Sequence, residues 1–141
     1  MINESVRKFL HEHPDAPTST PWGAPQALYR LADGIYKVIT AEHGGIFLTA
    51  ARMGVFAQIV GSSLAQPFQR VADLGMTDGS GWFEEDEAAY LVHYFFHADI
   101  HCEGEPAPYV REQVQRVWPS YFAAAQEQVP SLPGAADRMR G

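Results

Sequence analysis

One cysteine in 141 residues, Cys102, leaves no partner for an internal disulfide. It also excludes zinc sites of the CxxC type. So little thiol suits a reducing compartment, and a cytoplasmic location is expected. No apolar stretch comes near the ~18 residues of a membrane span. The opening "MINESVRKFLHEHP" has neither the apolar run nor the small-residue cleavage site of a signal peptide. GxGxxG, P-loop, GxSxG and HExxH motifs are missing, and so is an Arg-rich DNA-reading helix. "DGSG" at 78–81 is too short for a calcium loop. No cofactor is expected, and the balance leans away from an enzyme.

Positive charge is missing from a long stretch. Residues 71–110 hold no Lys or Arg but nine acids: Asp73, Asp78, Glu84, Glu85, Asp86, Glu87, Asp99, Glu103 and Glu105. That segment carries −9 in a chain of net charge −7, so the remainder carries +2. A field of one sign argues against direct contact with nucleic acid and suits a basic protein surface or a cation. Plain solubility is the alternative.

What is present suffices for one core. The chain is 46% hydrophobic and of single-domain length. Asn3 can cap a helix over about 4–11, with Val6, Phe9 and Leu10 on its apolar side. Residues 14–26 follow with Pro14, Pro17, Pro21 and Pro25, which stop helix and central strand alike. They read as an extended crossing loop pinned by Trp22.

"ALYRL", Asp33-Gly34 and "IYKVIT" have the composition of a hairpin. Gly44-Gly45 permits a second tight turn before "IFL". The expected meander runs over 27–31, 35–41 and 45–48, with "GWF" as a short fourth strand. Thr49 can cap a helix to about residue 60, with Ala51, Val55, Phe56, Ile59 and Val60 inside. "PFQRVADLG" suggests a further helical turn, and "MTDGSG" a loop.

"EEDEAAYLVHYFFHADIH" reads as the clearest helix, with carboxylates in its first turn and histidines towards its last. Helices over 108–118 and 119–128, each opened by a proline, close the chain. The expected architecture is α+β: one domain over 1–128, with a small antiparallel meander of three to four strands. About four to five helices pack on one face of it, and 129–141 form a tail.

The ordered blocks "TPWGAPQ", "GIYKV", "TAEHGGIFL" and "GWFEED" resemble an uncharacterised domain family carried largely by bacterial plasmids and phages. Its pattern is PWG, then GI-x-x-V, T-A-x-HGG-I-x-L and W-[FY]-E-E-D. These blocks cover residues 20–87. The family's LSPER is "LTAAR" here, with only Arg52 in phase, and its Cys-Asp-Trp is replaced by "EAAY". The resemblance transfers no mechanism. It implies a mobile-element context, in which small proteins often serve as accessory factors, including antagonists of host defence.

Three sets of residues carry chemistry. His43 can act as an acid/base or ligand beside Glu42, with Glu84–Asp86 as partners; otherwise it belongs to a turn. On a continuous helix Asp86, Tyr90, His93, His97 and His101 form one outward stripe, and His93 with His97 is a weak metal-chelating pair. The bland reading of that stripe is a solvated face. Glu84, Glu85, Asp86 and Glu87, with Asp78 and Trp82, make the expected binding surface for a protein partner with a basic face. A nucleic-acid-binding defence complex is one such partner, which would make the chain an anti-CRISPR protein. The rival is a small hydrolase or transferase using His43 with an acid from Glu84–Asp86.

Overall fold

The computed structural model describes residues 2–61, 64 and 80–128. The expectations for 67–79, Asp78 among them, and for the tail at 129–141 lie outside the described residues.

Helix α1 spans Glu4–Glu12, and the Asn3 side chain accepts from the Val6 amide at 2.8 Å. This satisfies one of the first-turn donors that a helix leaves open. Asn3 also donates to the Gln26 carbonyl at 2.9 Å, tying the cap to the start of the sheet. Val6 is buried, and the Phe9 ring meets Tyr36 edge-on at 5.9 Å.

Strands β1 (Ala27–Ala32), β2 (Ile35–Ile39), β3 (Gly44–Leu48) and β4 (Gly81–Glu84) form one antiparallel sheet in chain order. At the first turn only Gly34 takes a positive φ, 78°, and the register slips between Arg30 and Ala32. The turn is therefore a bulged one. The glycine pair departs further from expectation. Gly44 and Gly45 lie within β3, and neither has a positive φ. The turn itself is made by residues 41–43.

Period-2 alternation sends side chains to two faces. Ile35, Ile46, Leu48 and Phe83 join the larger core under helix α2 (Ala50–Val60) and the C-terminal helices. Tyr36, Val38, Phe47 and Trp82 join Val6, Ala16 and Leu28 in a second core. The helices therefore do not all pack on one face. Helix α1 and the proline-rich segment cover the other, because Tyr36, Val38, Phe47 and Trp82 are too apolar to leave wet. The Tyr36 hydroxyl donates to Asp15 in that segment. Burial and this carboxylate push the hydroxyl's pKa up.

Thr49 caps α2, accepting from the Arg52 amide at 3.4 Å. Its buried side is Met53, Phe56, Ile59 and Val60; Ala51 is exposed and Met53 takes the inner place expected for it. The expected long helix over 84–101 is broken twice. Glu84 ends β4, residues 85–88 turn, α3 covers Ala89–Phe95 and α4 covers His97–His101. Sheet pairing accounts for the first break: Trp82 and Phe83 pair with Phe47 and Ile46, and the Glu85 amide donates to the Gly44 carbonyl at 3.0 Å. Helices α5 (Pro108–Val117) and α6 (Pro119–Gln128) follow, making six helices among the described residues.

Candidate functional site

The β4–α3 turn divides the acid cluster between two places. Glu84 stands at the end of β4, and its Oε1 lies 3.8 Å from His43 Nδ1. Both side chains are about half exposed, at 43% and 54%. That is an open surface pair, too long for a hydrogen bond. The backbone of His43 closes the β2–β3 turn. Its carbonyl accepts from the Thr40 amide at 2.9 Å and the Thr40 hydroxyl at 2.7 Å. His43 therefore has a clear turn role, and its imidazole meets one expected partner, Glu84.

Glu85 and Asp86 go elsewhere. They line a cleft of about 310 Å³ with Lys37, Ile46, Tyr90 and His93. Gly44 helps to place Glu85: a Cβ there would come 3.1 Å from Glu85 Oε2 and 2.8 Å from the Val38 carbonyl. Asp86 reverses the chain with φ 65°. Glu87 is exposed beside them, and among the described residues Glu85, Asp86, Glu87 and Lys37 have no ion-pair partner. Tyr90 belongs to the expected stripe with Asp86 and His93, whereas Lys37 was not foreseen as a site residue. One signal was available for Lys37, because strand alternation puts it on the same face as Ile35 and Ile39.

Two residues that line the cleft, Tyr90 and His93, each have a side-chain partner outside its lining. The Tyr90 and Tyr109 hydroxyls are 3.0 Å apart, and this hydrogen bond, with some burial, raises the Tyr90 pKa. His93 Nδ1 lies 3.0 Å from His101 Nε2. Burial holds His93 below the ordinary histidine value, with His101 and Lys37 adding to the effect.

His93 and His97, the weak chelating candidates, lie on different helices. The helix breaks at Phe96, so the 100° stepping that aligned the stripe stops there. His93 meets His101 instead. His97 turns inward, its Nδ1–H donating to the Tyr94 carbonyl at 2.9 Å while Nε2 is buried. Among the described residues no group of three or more His, Cys, Asp or Glu side chains is arranged to hold a metal.

Trp82, expected at the binding surface, is a core residue, 4% exposed. It packs on Phe47 at 4.8 Å and edge-on to Trp22 at 5.4 Å. A Cβ on Gly45 would sit 2.5 Å from the Trp22 ring and 2.4 Å from the Phe83 carbonyl. The PWG, HGG and GWFEED blocks thus meet at one point, where the bare glycine admits the indole. Arg52 is a second junction. It donates to the Asp33 carbonyl and to Asp99 Oδ2, each at 2.6 Å, and lies 5.3 Å over the Phe96 ring. Asp99 is thereby removed from the free acidic charge.

No helix among the described residues is long and apolar enough to cross a membrane. No curated protein and no solved structure matches the chain. The family profile described as "Domain of unknown function (DUF7007)" matches residues 15–139. That match covers most of the 141 residues, and the chain belongs to this family.

Proposed function

We propose that the protein is a non-enzymatic binding module that engages a protein partner with a basic surface through the acidic turn at residues 84–87. The observation that carries this reading is the placement of that turn. Glu85, Asp86 and Glu87 project from an exposed reversal ahead of α3 and have no ion-pair partner among the described residues. Carboxylates inside a helix's first turn would have the helix dipole as sufficient reason for being there. These lie ahead of the helix rather than inside its first turn, and have no salt bridge among the described residues. Fields of one sign speed encounter with oppositely charged surfaces.

The mobile-element context implied by the sequence resemblance favours a narrower form. In it the partner is a host-defence complex, and the acids stand in for the phosphates of its nucleic acid, as an anti-CRISPR protein would use them. The enzymatic alternative draws support from the approach of His43 to Glu84. It is weaker because the adjacent cleft is lined by Glu85 and Asp86 and by neither member of that pair.

The test is affinity capture from host lysate with wild type and with a variant carrying Glu84→Gln, Glu85→Gln, Asp86→Asn and Glu87→Gln. A protein retained by wild type and lost by the variant supports the reading. Equal retention by both contradicts it. Turnover of an ester or phosphoester panel that disappears with His43→Ala would move the assignment to the enzymatic alternative.

A further inference from the structure

We infer that the cleft between β2, β3 and α3 is a receptor for one arginine side chain of the protein partner, with Glu85 and Asp86 as its anion wall. This rests on the binding reading above and narrows it from a charged edge to a single seat. Four observations converge on it.

The first is size. About 310 Å³ stands at the bottom of the ~300–1,000 Å³ range of small-molecule pockets, room for one side chain and little more. The second is the floor. Leu31, Ile46 and Ala89 line the cleft, giving an aliphatic stem an apolar bed while its charged head reaches the carboxylates.

The third is charge. Glu85 and Asp86 bring two negative charges and Lys37 one positive. His93 contributes none at neutral pH, since burial favours its uncharged form. The cleft is one positive charge short of neutrality, and a guanidinium supplies it. A phosphate would meet the opposite sign at the Glu85–Asp86 wall, so a nucleic-acid occupant is disfavoured.

The fourth is construction. Gly44 leaves open the space beside the Glu85 carboxylate, and Tyr90, on the cleft's lining, is held by its bond to Tyr109. Two carboxylates from adjacent residues and an aromatic ring suit the planar, forked head of arginine better than the point charge of lysine.

The experiment uses the full chain, ¹⁵N-labelled, at low salt. The probes are three capped tripeptides, Ala-Arg-Ala, Ala-Lys-Ala and Ala-citrulline-Ala. The arginine peptide should give saturable amide shifts at Ile46, Glu85, Asp86 and Tyr90. It should bind about tenfold more tightly than the neutral citrulline peptide, the factor expected of one charge-assisted pair. Glu85→Gln and Asp86→Asn should each weaken it by about tenfold, and Gly44→Ala should weaken it by crowding Glu85. Glu103→Gln with Glu105→Gln should leave it unchanged.

Equal, diffuse shifts from the arginine and lysine peptides, indifferent to Glu85→Gln, would overturn the inference. They would leave the proposed charged edge standing. A partner still captured by the four-site neutralised variant, which lacks both wall carboxylates, would contradict the edge and the seat together. The seat can therefore fail while the edge stands.

Discussion

Nη1 of Arg52 lies 2.6 Å from Oδ2 of Asp99 and joins α2 to α4 across the end of the sheet. The same side chain holds the β1–β2 turn through the Asp33 carbonyl and covers the Phe96 ring. Asp99 is half exposed, so the ion pair alone is worth little. The combination is worth more. Arg52→Ala is expected to cost about 1–2 kcal/mol, and Arg52→Lys to recover only part, since lysine lacks the planar fork. Urea denaturation of both variants checks this. A lysine variant as stable as wild type would show that only the charge matters.

Gly45 gives a second prediction, and its cause differs from the turn expected from sequence. Its backbone is extended, so no left-handed conformation is at stake; the obstacle is space. A methyl group there would press on the Phe83 carbonyl and the Trp22 ring. The carbonyl belongs to β4, paired to β3, and yields only by moving a strand. Gly45→Ala should destabilise by about 1–3 kcal/mol, the usual range for overpacking. Thermal melts equal to wild type would contradict close packing of Trp22 on Gly45.

His93 gives a pH dependence. Its folded-state pKa is lowered from the ordinary 6.5, so below that pH the unfolded chain binds more protons than the folded one. Stability should therefore fall as pH drops through 6.5 and below. The bond to His101 adds to this, because two protonated imidazoles cannot share one hydrogen. Denaturation midpoints between pH 7.5 and 5 should show the slope, and His93→Gln should flatten it. An unchanged slope in that variant would place the titration elsewhere.

Much of this arrangement was legible in sequence where the cause is local. Asn3 and Thr49 cap the helices they precede. Asp33-Gly34 turns β1 into β2, and "GWF" adds the fourth strand. What was illegible depends on distant partners. "EEDEAAY" has helical composition, yet pairing with β3 draws Glu84 into a strand. No proline or glycine marks the break at Phe96, so the meeting of His93 with His101 had no local sign. Trp82 looked like a surface anchor because its cover, Trp22, lies sixty residues away. The cleft draws on β1, β2, β3, the β4–α3 turn and α3, five places that only the sheet order brings together.

The acids at 85–87 lie outside any helix and have no ion-pair partner among the described residues, and Glu84 has one long, exposed contact. Their neutralisation should leave the fold nearly untouched, with stability changed by no more than about 0.5 kcal/mol per site. Circular dichroism and a denaturation curve of the four-site variant check this. A loss of several kcal/mol would give the acids a structural role instead.

These four acids are proposed to engage a basic partner surface. The most direct measurement is the Kd of the captured partner for wild type and for the four-site neutralised variant, by calorimetry, at ~0.05 M and ~0.5 M salt. Screening shortens the reach of exposed charges from ~10 Å at 0.1 M to ~3 Å at 1 M. Wild-type affinity should fall with salt, and the variant should bind weakly at both concentrations. Equal affinity of the two proteins at low salt would contradict this engagement.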